Sequence, residues 1–455
     1  MTAPEPSRGH AHTVVRDRIL GIDDARFLAL VGMMATHLWA SSTDDFWTTP
    51  LISEVIAGKA AALFAVLAGV GIAFVTDAPI ANGRLAAARL TVFGRGFALV
   101  VIGMTLGLVP GSIAVILVFY GVAFWFVIPW LRRPVRSLFA LAVVWAITWP
   151  IISSFLRFAV QDPTDPFDFI EANWLELADP GRFVAGLLIT GVYPVLTWVV
   201  YPIVGLAVGR LVLRAREHDG MRRLALRLLV AGAAVASSAF ALSWLLTAPL
   251  GGLARLQEDY AGYGSPEEIE FTYYLEMHYA PPGDLRWLAS PAPHTGTFFD
   301  LAITGGIAVA VIGGCLALRT VLPERAARLL RPVAGAGAAP LTIYTLHVIA
   351  AGLVAEFVVA DWLVEAAGPV PWLLSSPWIW GVHVAGALVI GAVLSWLHRR
   401  GPLETLVNWT GRGFARIAGR APVEPAAPAD RAAPAEPAEP APRATTPGVR
   451  PAGRA

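Results

Sequence analysis

The sequence predicts an all-α, polytopic integral membrane protein of about ten transmembrane helices, with both the N-terminus and the C-terminus in the cytoplasm. Three observations predict it. Of the 455 residues, 56% are hydrophobic and only 15% charged, and the mean hydropathy is +0.62, more apolar surface than a soluble core of that size can hide. Apolar runs long enough to cross about 30 Å of hydrocarbon fall at ten places. The connections between them alternate between arginine-rich and acidic, and an arginine excess marks the cytoplasmic side.

The ten runs lie at 22–41, 51–76, 90–109, 112–131, 137–156, 183–209, 225–248, 298–319, 338–358 and 375–397. Every second connection is basic. Arg84 and Arg89 come first, then Arg132, Arg133 and Arg136, then Arg214, Arg216, Arg222 and Arg223, and finally Arg319, Arg325, Arg328 and Arg331. The others carry Asp44 and Asp45, the acids of 162–179, those of 258–276, and Asp361 with Glu365. One missed helix would invert this alternation downstream, so its consistency supports all ten spans together. The expected organisation is a cytoplasmic segment over 1–20, a helical membrane domain over 21–400 with a long outer loop at 249–297, a basic cytoplasmic segment over 401–420, and an Ala/Pro-rich tail over 421–455 too poor in apolar residues to fold. No cleaved signal peptide is expected, because the first twenty residues lack a short apolar stretch ending at small residues.

A net charge of +1 supplies no basic field for nucleic acid. The single cysteine, Cys315, allows neither a disulfide framework nor a cysteine metal site, and no metal is expected.

Ionisable groups inside the spans are costly unless they face a partner or a wet cavity. They are Arg26 and His37 in the first run, Glu54 and Lys59 in the second, Arg95 in the third, His347 and Glu356 in the ninth, and His383 in the tenth. Arg26 and His37 lie eleven residues apart, on one helix face and separated by about 16 Å. They align along a possible transmembrane path; snorkelling of Arg26 and a helix contact for His37 are the structural alternatives. His347 follows Tyr344 on the same face and can carry protons, bond a substrate or hold helices together. His294 sits where the long outer loop re-enters the membrane. Arg89 and Arg95, in RLTVFGRGF, suit phosphate recognition by guanidinium, or serve only as positive-inside residues. Lys59 is the only lysine in the chain.

The segment IDDARFLALVGMMATHL resembles the D-x-x-R-G-x-A-L-x-G-M opening of bacterial membrane proteins similar to heparan-alpha-glucosaminide N-acetyltransferase and the YeiB-like group. GKAAALFAVLAGVGIAF is similar to that family's second helix, APLTIYTLHVI to its L-T-x-Y-x-x-H segment, and GPLE at 401–404 follows in order. The Arg26-to-His37 spacing also matches an R-x10-H motif of a separate class of membrane acyltransferases, whose histidine is regarded as catalytic. Phe27 replaces the family's usual glycine and Lys59 its usual arginine, and members near the human-type enzyme carry Asn where His37 stands.

The resemblance implies a membrane acyltransferase that moves an acyl group, acetyl first among them, from cytoplasmic acyl-CoA to a hydroxyl or amine of an extracytoplasmic glycan or lipid. It places His37 in the chemistry, with His347 and His294 as competing candidates, and Arg26, Arg89, Arg95 and Lys59 on the coenzyme A donor. Membrane lipids and an extracytoplasmic acceptor are the expected partners, in a bacterial plasma membrane. The oligomeric state, homodimer included, stays open. A proton-coupled transporter or flippase is the alternative; internal inverted repeats would support it, and none is visible.

Overall fold

The computed structural model describes residues 18–39, 51–111, 113–160, 170–274, 281, 283–364 and 371–418. The expected tail over 421–455, the first seventeen residues and the acidic connections at 40–50, 161–169 and 365–370 lie outside them. Among the described residues the regular structure is helical.

We label the long helices α1 (Leu20–Leu38), α2 (Lys59–Ala81), α3 (Leu85–Leu106), α4 (Leu117–Val127), α5 (Val135–Val160), α6 (Val200–Glu217), α7 (Met221–Thr247), α8 (Phe298–Val321), α9 (Pro340–Val364), α10 (Pro377–Trp396) and α11 (Pro402–Ala418). Among the described residues, eight helices are long and apolar enough to cross a membrane, which makes this a multi-pass membrane protein. The two other expected runs also coil but differ in kind. α1 carries Asp23, Asp24 and Arg26 in its first turns. The run at 112–131 becomes helical only at Leu117, after Pro110 and Gly111, and α4 is buried along nearly its whole length. A buried apolar helix of about 10–14 residues is ordinary core packing.

The run at 183–209 is not one helix. Pro180–Ala185 and a π-helical turn at Gly186–Thr190 end at Gly191, an extended stretch follows, and helix resumes through Val195–Trp198 into α6. Gly191 and Pro194 explain the break, since Pro194 cannot donate to the preceding turn. Broken backbone at membrane depth is tolerated where protein encloses it, and Tyr193 and Trp198 are both buried.

Small residues bring the helices close, as expected where lipid removes the hydrophobic drive for association. Gly313 of α8 lies on the backbone of Ala225–Leu229 in α7, and Gly205 of α6 lies on Val66 of α2. A side chain at either would meet main-chain atoms.

The long loop after α7 is folded. Helices Gly252–Asp259 and Pro266–Tyr274 and a 3-10 turn at Leu285–Ala289 close around a small core of Leu256, Ile269, Tyr273 and Trp287. Thr247 and Tyr273 pair at 3.1 Å, and Ser243 donates to the Ala289 carbonyl at 2.7 Å, tying this core to α7.

Residues 402–418, expected only as a basic segment, form the amphipathic α11. It packs on α3, with Phe414 against Phe93 and Phe97, and on α9 through Glu404.

Candidate functional site

Three helices widely separated in sequence bring three histidines together. His37, in the last turn of α1, has Nδ1 3.0 Å from Nε2 of His347 on α9. Nδ1 of His347 in turn lies 2.9 Å from Nδ1 of His383 on α10. His347 is buried at 3% exposure, whereas His37 and His383 are partly exposed. The buried centre of the chain therefore joins two more accessible ends. Among the described residues no carboxylate bonds to any of the three.

The surrounding helices hold this geometry. The Ser376 amide donates to the Leu38 carbonyl at 2.7 Å, and the Trp380 indole donates to the Val31 carbonyl at 3.1 Å, fixing α10 to α1. Trp39 packs on Trp380. At the far end of α9, Glu404 of α11 accepts from the amides of Leu341 (2.7 Å) and Thr342 (3.0 Å) and from the Thr342 hydroxyl (2.6 Å). The carboxylate thus caps the first turn of the helix that carries His347, where backbone donors lack intrahelical partners.

A neutral imidazole offers one donor and one acceptor, which leaves few arrangements. If Nδ1 of His37 donates to His347, then Nδ1 of His347 donates to His383, and Nε2 of His37 keeps its lone pair. A proton taken there can be passed on as each imidazole hands its Nδ1 proton to the next. The end result is a protonated His383 that can release its Nε2 proton. The nitrogens point at one another in pairs and do not converge on a common point, and no group of metal-ligating side chains occurs among the described residues.

His294 belongs to a different environment. It is buried, adopts φ of 60°, stacks on Trp198 and meets Tyr193 edge-on. It sits beside Gly58 at the start of α2 and is not joined to the histidine chain.

The arginines separate too. Asp23 accepts from Arg26 at 2.9 Å and from Arg18 at 2.8 Å, and Asp24 pairs with Arg319 through two contacts of 2.5 and 2.6 Å. Arg95 donates to Asn408 of α11 and lies within electrostatic reach of Arg26, Arg400 and Glu404. Arg26 and Arg95 therefore share one region, between α1, α2, α3 and α11. Arg89 is exposed and six residues before Arg95 on α3, about 240° around the helix, so it faces elsewhere.

Lys59 does not join this cluster. The Arg26 guanidinium sits beside Gly71 of α2, and Lys59, the first residue of that helix, is twelve residues away, about 18 Å at 1.5 Å per residue. It lies instead at the level of Gly32 and Ala60, which touch, toward the His37 end of α1.

The fold and site define a polytopic membrane protein with a buried histidine chain at one level and a basic cluster some three helical turns away along α1. Residues 18–249, just over half of the sequence, match the family model described as "Heparan-alpha-glucosaminide N-acetyltransferase, catalytic", and the chain belongs to this family. Its general function is that of a transmembrane acetyltransferase. No curated protein matches the chain significantly. The matched span contains Arg26, His37, Lys59, Arg89 and Arg95, and it ends before His294, His347 and His383.

Asp23, Asp24, Glu404 and Asn408 were not singled out from the sequence as site supports. The D-D-x-R order at 23–26 was a signal for Asp23 alone, since an acid three residues before Arg26 lies on its face, whereas Asp24 pairs with the distant Arg319.

Proposed function

We propose that this protein takes an acetyl group from acetyl-CoA, or a related acyl-CoA, at its cytoplasmic face and delivers it to a hydroxyl or amine of a glycan or lipid beyond the membrane, in a bacterial plasma membrane. The observation that carries the reading is the continuous contact His37–His347–His383, which offers a base and an exit for the proton that acyl transfer releases.

In this reading Arg26 and Arg95 hold the phosphates of the donor, because guanidinium pairs with phosphate through fixed, directional donors. The acceptor attacks the thioester carbonyl. The carbon–sulfur bond breaks, a carbon–oxygen or carbon–nitrogen bond forms, and the thiolate departs with coenzyme A. Nε2 of His37 takes the acceptor's proton, and the chain through His347 and His383 carries it off. An imidazole suits this role because its ordinary pKa lies near neutrality. His294, set against Trp198 and Tyr193, is the second candidate for contact with the acceptor.

A histidine chain across three helices also suits a proton-coupled transporter without acyl chemistry. The two readings separate in one assay. Protein in lipid nanodiscs is given radiolabelled acetyl-CoA, with glucosamine as trial amine, and coenzyme A release is followed for wild type and His37→Ala. Release that falls at least 100-fold in the variant supports the proposal. Absence of both binding and turnover in the wild type favours transport.

A further inference from the structure

α11 divides into three sectors around its axis. Val407, Gly411 and Phe414 form the face that meets α3, with Gly411 against Thr91 and Arg95. At 100° per residue, Leu406, Trp409, Gly413 and Ile417 fall on the opposite side within about 80° of one another, and Arg412 and Arg416 flank them within about 60° of Trp409. All six are exposed, Trp409 to 69% and Ile417 to 58%. Arg412 and Arg416 pair with no carboxylate among the described residues.

Single exposed apolar residues are ordinary on a protein surface, whereas an apolar edge gathered along one helix marks a surface that meets something. Two observations select the occupant. The first is continuity with lipid-facing surface: Phe97, which Phe414 touches, and Val101 one turn further are both exposed on α3, a helix long and apolar enough to cross the membrane. Trp396, at the end of α10 just before α11, is exposed as well, and tryptophan collects at the membrane–water interface. The second is charge. Between 397 and 418 the sequence carries Arg399, Arg400, Arg412 and Arg416 against Glu404 alone, and Glu404 is engaged by the first turn of α9. α11 crosses α3 toward the end that follows Arg84 and Arg89, and an arginine-rich end faces the cytoplasmic leaflet, which carries anionic lipid. A helix with Trp and Leu on one edge and arginine on the next lies in the plane of such an interface, its apolar edge about 5–10 Å into the headgroup boundary.

We propose that α11 is a membrane-interface helix: Leu406, Trp409 and Ile417 enter the headgroup boundary, and Arg412 and Arg416 bind the phosphates of anionic phospholipids. Lipid and the candidate donor site then lie on opposite faces of one helix, since Asn408 of α11 accepts from Arg95. Lipid binding there is independent of acyl transfer, and its test needs no turnover. The full chain is reconstituted in phosphatidylcholine nanodiscs doped with phosphatidylglycerol, or with phosphatidylcholine, carrying a diazirine near the glycerol end of one acyl chain. After illumination, label on the peptide covering 402–418 is quantified against label on the lipid-facing helix α7. Phosphatidylglycerol should label 402–418 at least about fivefold more than phosphatidylcholine, from about one net favourable charge contact. Arg412→Gln with Arg416→Gln should remove that preference and leave labelling by phosphatidylcholine. Trp409→Ser with Ile417→Ser, also at exposed positions, should lower labelling by both lipids. Equal labelling by the two lipids in the wild type, or a preference that survives the double arginine variant, overturns the proposal. So does absence of lipid label from 402–418 with disulfide formation between copies of Trp409→Cys, which assigns the face to a second copy of the chain.

Discussion

Glu404→Ala should loosen the start of α9 without unfolding the bundle. The Glu404 carboxylate accepts three hydrogen bonds, from the Leu341 and Thr342 amides and the Thr342 hydroxyl. A hydrogen bond to a charged group contributes about 1.5–3 kcal/mol. Glu404 is partly exposed and bonds sharing one acceptor group do not add, so about 2 kcal/mol is expected for the whole cap, in line with strong N-caps. A local opening made easier by about 2 kcal/mol speeds amide exchange roughly 30-fold, since 1.4 kcal/mol is tenfold. Hydrogen exchange of the peptide covering 338–345 measures it. Glu404→Gln, which keeps an acceptor oxygen but not the charge, should fall between wild type and Glu404→Ala. Because Thr342 precedes His347 by five residues, the looser helix should also slow acyl transfer more than it weakens donor binding. Unchanged exchange at 338–345 in Glu404→Ala would refute the capping role.

Asp24→Asn strands Arg319, whose side chain is only 10% exposed, and should cost about 3–5 kcal/mol, read as a lower thermal denaturation temperature in detergent. Asp24→Leu with Arg319→Met, removing both charges, should recover most of that loss. In the loop after α7, hydrogen bonding from Arg286 holds the Asp284 carboxyl below its usual pKa. A depressed folded pKa contributes stability that is present above the unfolded value of about 3.9 and lost as pH falls through the folded value. Limited proteolysis at 253–289 should therefore change little from pH 7 to 5 and accelerate below about 4. His383→Ala should slow acetyl transfer roughly 10- to 100-fold, at or below the usual range for a proton-transfer group, while the dissociation constant for acetyl-CoA stays unchanged. Equal turnover in wild type and His383→Ala would remove this residue from the proton path.

The spans were legible because hydropathy and charge alternation are properties of local sequence. α4 and the helix broken at Gly191–Pro194 were less so, since an apolar run reads alike whether it faces lipid or protein. His37 and His347 stood out as ionisable groups at membrane depth. Their contact, across 310 positions, depends on how α1 meets α9, which periodicity does not report. His383 carried the same signal but no motif, and only the placement of α10 gives it a partner. The resemblance put Lys59 with the arginines on the donor, whereas the antiparallel run of α2 against α1 sets it about 18 Å along α2 from Gly71, which the Arg26 guanidinium neighbours. α11 was hidden because its charge suggested a solvated segment, although Val407, Gly411 and Phe414 recur at helical spacing on the face that meets α3.

In the proposed reaction donor and acceptor meet from opposite sides of the membrane. The direct measurement uses sealed proteoliposomes in which the protein has one known orientation. Radiolabelled acetyl-CoA is added to one side, glucosamine to the other, and acetylated product is counted. Product should form only when the donor faces the side carrying Arg26 and Arg95, and should be lost in His37→Ala. Product formed equally well from the opposite arrangement, or undiminished in His37→Ala, would contradict the proposed reaction.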